Sequence, residues 1–304
     1  MKKSLIALSL LAALSACGGG GNGNGGSNTG GTGGTGGTGG TGGTGGTGGT
    51  GGTTSGMSEA LKVFSESWLN MQAVLNMHDL VVIAGNSGNC PKGGSVSFNG
   101  SSTTMNNCVR RFPADNAYQG SFGGAPVTTG NLKTLSFQSN GSIYANVGNN
   151  PTVREYAIAN TSFTASDDNS DNSKEVTQIG NGSASFIVST ATTYAITAIG
   201  STVANTGSSL NSMAGFFYSK NGSAANRLLT TQNLTFASDS NGMSLHPASG
   251  AYNVAVGGST ACVNVAVQMM AANQLQITCS ATSESRVVNW SDNDVRTALN
   301  NAAS

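Results

Sequence analysis

Charge is scarce in this chain, and the charges that are present balance. Only 9% of its 304 residues are charged, with 13 basic and 13 acidic side chains. Nucleic-acid-binding proteins present a basic surface that this composition does not supply, so we expect no nucleic-acid partner. Surface polarity must come from serine, threonine, asparagine and glycine, which is common in exported β proteins.

Recognisable catalytic and metal-binding motifs are missing as well. The sequence has no GxSxG elbow, HExxH motif, P-loop or dinucleotide fingerprint, and its few carboxylates do not pair convincingly for glycoside hydrolysis. No CxxC spacing indicates zinc, and the two histidines, His78 and His246, are distant in sequence. We therefore expect a protein with no cofactor, no metal and no enzymatic activity, in which His78 is a packing residue.

One acidic segment, SDDNSDNSKE, places Asp167, Asn169 and Asp171 at alternating positions. Oxygen ligands at that spacing can surround a calcium ion. The EF-hand pattern then requires glycine at Asn172 and glutamate at Gln178, so the segment departs from that pattern twice. It is a weak calcium candidate, and a solvated hairpin loop is the favoured interpretation.

The amino terminus has the layout of a secretory signal. Lys2 and Lys3 precede an apolar run from Leu5 to Leu14, which is too short to span a membrane as a helix. The tetrapeptide LSAC, which ends at Cys17, resembles the lipobox of bacterial lipoproteins at all four positions. That resemblance implies a signal peptide over residues 1–16, and a Cys17 that carries a diacylglyceryl thioether and further acylation such as palmitate.

The residues after Cys17 bear on localisation. In bacterial lipoproteins an aspartate at the next position is the usual inner-membrane retention signal, whereas this chain has Gly18. The segment LSACGGGG resembles the start of surface lipoproteins of the neisserial type, which have glycine-rich tethers. The resemblance implies a lipid anchor in the cell outer membrane, with the domain either surface-exposed or facing the periplasm. It does not extend to the folded domain, so it implies no ligand.

A low-complexity segment follows over residues 17–56 and includes eight GGT units from Gly30 to Thr53. It contains no charge, no proline and no large apolar residue, so it cannot bury enough surface to offset the entropy of ordering. A glycine-rich coil from Gly18 to Gly56 has a mean span of roughly 35 Å. We expect a disordered linker that lets the domain at 57–304 stand off a lipid surface.

Four further cysteines remain in an exported chain, which predicts two disulfides. Three pairings are possible. The pairs Cys90–Cys108 and Cys262–Cys279 are favoured because each flanks a short segment with hairpin character.

The domain is predicted to begin with an amphipathic helix. Apolar residues recur at spacings of three and four from Leu61 to Leu75, and Ser58 is a plausible N-cap. The next segment, LVVIAG, is predicted to be a strand. A short helix is predicted at the carboxyl end, with Ser291 as its N-cap.

Between these helices, short β-prone runs alternate with turn clusters. In TYAITAI, the side chains of Tyr194, Ile196 and Ala198 are predicted to share one face. Asn-Gly pairs, which suit type I′ turns, are predicted to make hairpins; they begin at Asn99, Asn140, Asn181, Asn221 and Asn241. The sequence therefore predicts a mainly β fold, an antiparallel meander of about a dozen strands, sandwich or barrel-like.

These observations predict an outer-membrane-anchored lipoprotein that displays a β-rich binding domain on a flexible tether. Its role would be cell-surface interaction with a protein or glycan partner, or an accessory function in the envelope. Two alternatives stay open: a lipocalin-like carrier, which needs a hollow apolar interior, and a surface hydrolase, which needs a polar cleft holding His78 or His246.

Overall fold

The protein is described here by a computed structural model. It describes residues 55–110, 117–145, 156–171, 173–189, 191–206, 208–223, 227–239, 242–243, 246–259, 261–270 and 273–304. The fold is mainly β, with 62% of the described residues in strands, which confirms the predicted fold class. Sixteen strands form one antiparallel meander, more than the dozen predicted, and a helix lies at each end.

The two helices are α1, Ser55–Ile83, and α2, Asn293–Ala303. The strands from the amino-terminal half are β1 Gly88–Asn89, β2 Ser95–Phe98, β3 Ser102–Val109, β4 Ala117–Gly123, β5 Val127–Thr129, β6 Leu132–Ala145, β7 Tyr156–Asp171 and β8 Lys174–Ser189. Those that follow are β9 Thr192–Asn205, β10 Ser209–Lys220, β11 Arg227–Asp239, β12 Gly242–Met243, β13 Ser249–Val256, β14 Asn264–Met270, β15 Gln274–Cys279 and β16 Glu284–Asn289.

Consecutive strands are paired along nearly the whole sheet. The order runs from β1 to β16, with β5 paired only to β6 and β12 only to β11. Within most strands, buried and more exposed residues alternate, so one face of the sheet is covered and the other is solvated.

Helix α1 fills the space inside the curved sheet. Almost every residue from Gly56 to Ala84 is buried, on all sides of the helix and not along one stripe. Phe64 and Trp68 pack on Trp290, with ring centres 5.5 and 5.0 Å apart. The core is therefore one layer of inward strand side chains packed around a central helix.

The helix extends through LVVI, so the strand predicted for that segment is wrong. Leu80 to Ile83 are β-branched or strongly apolar, which favours a strand locally, but the last turns of α1 are enclosed by the sheet and need apolar side chains. The predicted N-cap Ser58 is also wrong, because α1 already begins at Ser55. For α2 the N-cap is Asp292, not Ser291.

Tyrosine hydroxyls satisfy many polar groups of the enclosed helix. Tyr118 donates to Asp79 (2.9 Å), the Asn76 amide donates to Tyr156, and Ser67 donates to Tyr252 (3.3 Å). Tyr218 donates more weakly to the carbonyl of α1 residue 63 at 3.4 Å. Burial, followed by the charge of Asp79, raises the pKa of Tyr118 well above its usual value, so the phenol stays a neutral donor.

Two of the predicted Asn-Gly hairpins are instead β-bulges inside long strands. Asn140 lies within β6 and Asn181 within β8, at points where the pairing register shifts. Asn99 and Asn221 do occupy turns, and Asn221 and Gly222 both have positive φ, as a type I′ turn requires. Asn241 lies outside the described residues.

A bulge also changes the predicted face of one side chain in β9. Ala198 has a φ of +52° and is exposed, while Tyr194 and Ile196 are buried. The inward position expected for Ala198 is taken by Ile199. A strict two-residue period fails here because a bulge inserts one extra residue.

Candidate functional site

The sequence-predicted residues that the structure describes are not brought together at one site. Cys17 lies outside the described residues, so its lipidation stays a prediction. Disulfides join Cys90 to Cys108 and Cys262 to Cys279, with Cα atoms 5.4 and 5.5 Å apart, and these are the two favoured pairs. Each disulfide links nearby segments of the sheet and therefore has a structural role.

The calcium candidates are divided between a buried ion pair and a turn. Asp167 is buried and lies 3.3 Å from the ammonium of Lys133, while the Asn169 amide donates to Asp167 at 3.2 Å. The side chain of Asp171 instead accepts from Ser173, and these hydrogen bonds hold its pKa below the usual range.

Lys133 supplies a positive charge where Asp167 and helix α1 present oxygen atoms. Its ammonium donates to the carbonyls of Val81 (2.6 Å) and Val82 (3.0 Å) at the carboxyl end of α1. Within the described part of the chain, no group of three His, Cys, Asp or Glu residues could hold a metal ion.

His78 is buried in the core beside Ser201. Its Nε2 lies 2.9 Å from the Ser201 hydroxyl, which also donates to the carbonyl of Met213 at 3.1 Å. Ser201 uses its proton for Met213, so Nε2 of His78 is the donor and not a base toward the serine. Among the described residues the Nδ1 atom has no hydrogen-bond partner, and burial lowers the pKa of His78 to about 3. No carboxylate in the described part of the chain orients this pair as in a hydrolase triad.

His246 lies against the aromatic core. Its ring stacks on Trp290 with centres 4.1 Å apart and an interplanar angle of 7°. Burial lowers the pKa of His246 to about 4, so the imidazole is neutral at physiological pH. This stacking makes His246 a packing residue of the same aromatic cluster as Phe64 and Trp68.

A group of charged side chains lies near the start of α1. Two adjoining cavities of about 570 and 360 Å³ share Lys62, Glu66 and Lys220. We call this region the charged cleft. Its other lining residues come from α1, α2 and the β10–β11 turn, and those used below are Glu59, Arg227, Asn221, Ser223 and Asn301.

Arg227 contacts two of the carboxylates of the charged cleft. It contacts Glu66, whose side chain is only 3% exposed, and lies 3.6 Å from Glu59. Glu59 also lies 3.9 Å from Lys62, one turn further along α1. Because Glu66 is desolvated, its charge requires a close partner, which the guanidinium provides.

Lys220 has a different environment. Its ammonium donates to the carbonyl of Asn301 at 3.3 Å, near the end of α2, and lies 5.9 Å from the ring centre of Tyr194. Among the described residues, no carboxylate lies at ion-pair distance from Lys220. Burial and repulsion from Lys62 lower the pKa of Lys220.

Sequence reasoning missed the charged cleft. Its cations belong to α1, to the end of β10 and to the start of β11, and they meet only because the meander returns to the first turns of α1. One signal was present: Glu59, Lys62 and Glu66 recur at spacings of three and four, which places all three on one face of the helix.

A second, neutral groove of about 810 Å³ lies on the sheet across β5 to β9. Its lining includes glycines, several hydroxyl groups and one side-chain amide. Among these polar residues are Thr134, Thr164, Gln178 and Thr202. None of the described residues that line it is titratable, so these residues offer hydrogen bonds but no charge.

Comparison of the chain with protein-family models, with curated proteins and with solved structures found no match. The site must therefore be interpreted from its own geometry. No helix of the described residues is both long and apolar enough to cross a membrane.

Proposed function

We propose that this protein is an outer-membrane lipoprotein that displays a binding domain on a flexible tether. Its partner is a protein or glycan, engaged in cell-surface interaction or in an accessory envelope function. The lipobox LSAC, Gly18 and the eight GGT units support the anchor and the tether. The domain begins with α1 at Ser55, directly after that segment.

The observation that carries the binding role is the position of α1. A helix of 29 residues occupies the interior of the sheet, and its residues are buried against inward side chains from both halves of the meander. A ligand must therefore be met on the outside of the domain. This arrangement favours surface recognition over a lipocalin-like carrier, which requires a hollow interior.

The alternative of a surface hydrolase has less support from the same geometry. Both histidines are desolvated, and burial lowers the pKa of each well below neutrality. A general base works best with a pKa near the operating pH. An imidazole with a pKa of about 3 or 4 is a weak base, and neither histidine lines the charged cleft or the neutral groove.

The anchor is tested by replacing Cys17. We expect Cys17→Ser to abolish acylation and to release the protein from membranes, because a durable anchor requires two or more acyl chains. The measurement is metabolic labelling with a palmitate analogue, combined with fractionation after an alkaline wash. A variant that remains acylated and membrane-bound would contradict the anchor.

The binding role is tested by proximity labelling on intact cells. The full-length protein carries a labelling enzyme at its carboxyl end, and the Cys17→Ser variant serves as the control. We expect a reproducible set of envelope or surface molecules to be labelled only when the anchor is intact. Identical labelling by the two forms would count against a role at the membrane surface.

A further inference from the structure

We propose that the charged cleft binds a phosphate group between Lys62 and Lys220. This inference deepens the proposed function, on which it rests, by naming the ligand chemistry that the outside of the domain recognises. The site is formed by α1, α2 and the turn after β10, and it lies beside the first turns of α1.

The first argument is the balance of charge. Three cations line the cleft, Lys62, Lys220 and Arg227, against the carboxylates of Glu59 and Glu66. Both carboxylates contact Arg227, which leaves the two ammonium groups under-compensated. A third carboxylate, Asp294, is paired outside this group with Arg286. The cleft therefore keeps an excess of one positive charge.

The second argument is where that excess lies. Lys62 is 59% exposed and its distance from Glu59, 3.9 Å, is at the limit of an ion pair. The charge of Lys220 meets only a carbonyl and an aromatic ring within the described residues. Burial lowers the pKa of Lys220, and the charge of Lys62 lowers it further, so the two ammonium groups are close enough for repulsion. An anion between them would remove this repulsion and contact both ammonium groups.

The third argument concerns the shape and the remaining donors. The smaller cavity, about 360 Å³, is lined by Lys62, Lys220, Asn221 and Ser223 in addition to the Glu66–Arg227 pair. The side-chain oxygen of Asn221 already accepts from the backbone of Thr193 at 2.7 Å, which leaves its amide group as a donor. Several donors from different elements suit an anion with several oxygens, which favours phosphate over a carboxylate.

The structural role of Lys220 does not account for the whole arrangement. Lys220 stabilises the end of α2 through the carbonyl of Asn301, which is a common role for lysine at a helix carboxyl terminus. That role does not explain why Lys62 lies across the same cleft. A second lysine at this position costs repulsion in the unliganded protein and gains interaction when an anion is bound.

The phosphate can belong to a lipid headgroup or to a soluble molecule, and one experiment separates these sources. Full-length lipidated protein in neutral detergent is titrated by calorimetry with inorganic phosphate and, separately, with dioctanoyl phosphatidic acid. We expect saturable binding of phosphate at a single site. Tighter binding of the lipid would assign the site to a headgroup, and equal binding would assign it to a soluble phosphate.

The variants for this test are Lys62→Gln and Lys220→Gln, and the matched control is Lys174→Gln. Lys174 is an exposed lysine at the start of β8, away from the cleft lining. We expect each cleft variant to lower phosphate affinity about tenfold or more, because each removes one charge-assisted hydrogen bond, and the control to bind normally. Melting temperatures of the variants verify that they fold.

Two results would overturn the inference: no binding of either phosphate compound, or binding that both cleft variants retain. Neither result bears on Cys17, because acylation and fractionation are measured separately. Conversely, a protein that stays on membranes without Cys17 would contradict the proposed anchor and leave phosphate binding to the cleft measurable.

Discussion

At the scale of single residues, the main feature is the number of polar side chains enclosed with α1. Ser67, Asn70, Asn76, His78 and Asp79 are all buried on one helix. Most find partners on surrounding strands, such as the tyrosine hydroxyls described above. A buried polar group without a partner costs about 1–3 kcal/mol, so these contacts penalise any other rotation of α1 inside the sheet.

Buried ion pairs add to this effect. Arg110 lies 3.6 Å from Asp79 at one end of α1, and Arg227 pairs with Glu66 near the other. Removing one member of such a pair leaves an uncompensated buried charge, which costs about 3–5 kcal/mol. We infer that these pairs fix the position of α1 along its axis more than they add to net stability.

His78 makes a prediction about acid stability. Burial lowers the pKa of His78 from its usual value of 6.5 to about 3 in the folded protein, so the unfolded chain binds the proton more tightly. The contribution of neutral His78 to the free energy of unfolding is therefore fully present above pH 6.5 and decreases as the pH falls toward 3. A single proton of this kind contributes a slope of about 1.4 kcal/mol per pH unit.

The measurement is the urea unfolding free energy from pH 7 to pH 4 for the wild type and for His78→Gln. We expect the slope of the unfolding free energy against pH to be smaller in His78→Gln by the amount that one proton contributes. This expectation does not depend on the stability of the variant at pH 7. His246→Gln is the matched comparison, because burial also lowers the pKa of His246. Equal slopes for the wild type and His78→Gln would show that His78 is protonated without unfolding.

At the scale of elements, asparagine bulges explain how a sheet of long strands can curve around one helix. Asparagines with positive φ lie within strands β3, β7, β8 and β11, at Asn107, Asn160, Asn181 and Asn233. Asparagine tolerates this backbone region better than most residues. Each bulge bends its strand and increases the local twist, so bulges in several neighbouring strands curve the whole sheet.

Two glycines of β8 make a matched test of the bulge. At Gly182 an added Cβ would lie 2.7 Å from the Cβ of Phe163, whereas at Gly180 the nearest atom would be 3.8 Å away. We expect Gly182→Ala to lower the unfolding free energy by about 1–3 kcal/mol through overpacking. Gly180→Ala should be neutral or should stabilise by up to about 1 kcal/mol, because alanine loses less entropy.

Chemical denaturation of the two variants and the wild type gives the comparison. The order of stabilities matters more than the size of either change. If Gly182→Ala were as stable as Gly180→Ala, the close approach of β7 and β8 at the bulge would be wrong.

At the scale of the whole molecule, the tether and the domain are predicted to be independent. The domain from Ser55 onward has its own central helix, sheet and disulfides. The GGT repeat contains no side chain that could join a hydrophobic core. In the proposed lipoprotein, the length of the repeat should therefore determine how far the domain reaches from the membrane and not how stably it folds.

Deleting Gly30 to Thr53 tests this independence. For the predicted flexible coil, we expect the mean span of the linker to fall from roughly 35 Å to about 20 Å. We expect an unchanged melting temperature and weaker binding of an antibody to whole cells. A control of equal length, in which the deleted residues are replaced by a Gly/Ser sequence, should restore access. A melting temperature that drops by many degrees would make the repeat part of the fold.

Local pattern alone was sufficient for much of the architecture. The β-prone run TYAITAI lies within β9, and helix α1 includes the apolar spacing from Leu61 to Leu75. The pairing of Cys262 with Cys279 followed from short separation and hairpin character. These features depend on contacts between residues close in sequence, which a periodicity or a spacing reports directly.

Other features were decided only by tertiary structure. LVVI is helical because the enclosed end of α1 needs apolar residues, and Asn181 forms a bulge because β8 continues past it. The charged cleft exists because the ends of β10 and β11 return to the start of α1, which places Lys220 and Arg227 beside Lys62. No local signal reports such meetings, since their energy depends on burial and charge contributed by segments far apart in the chain.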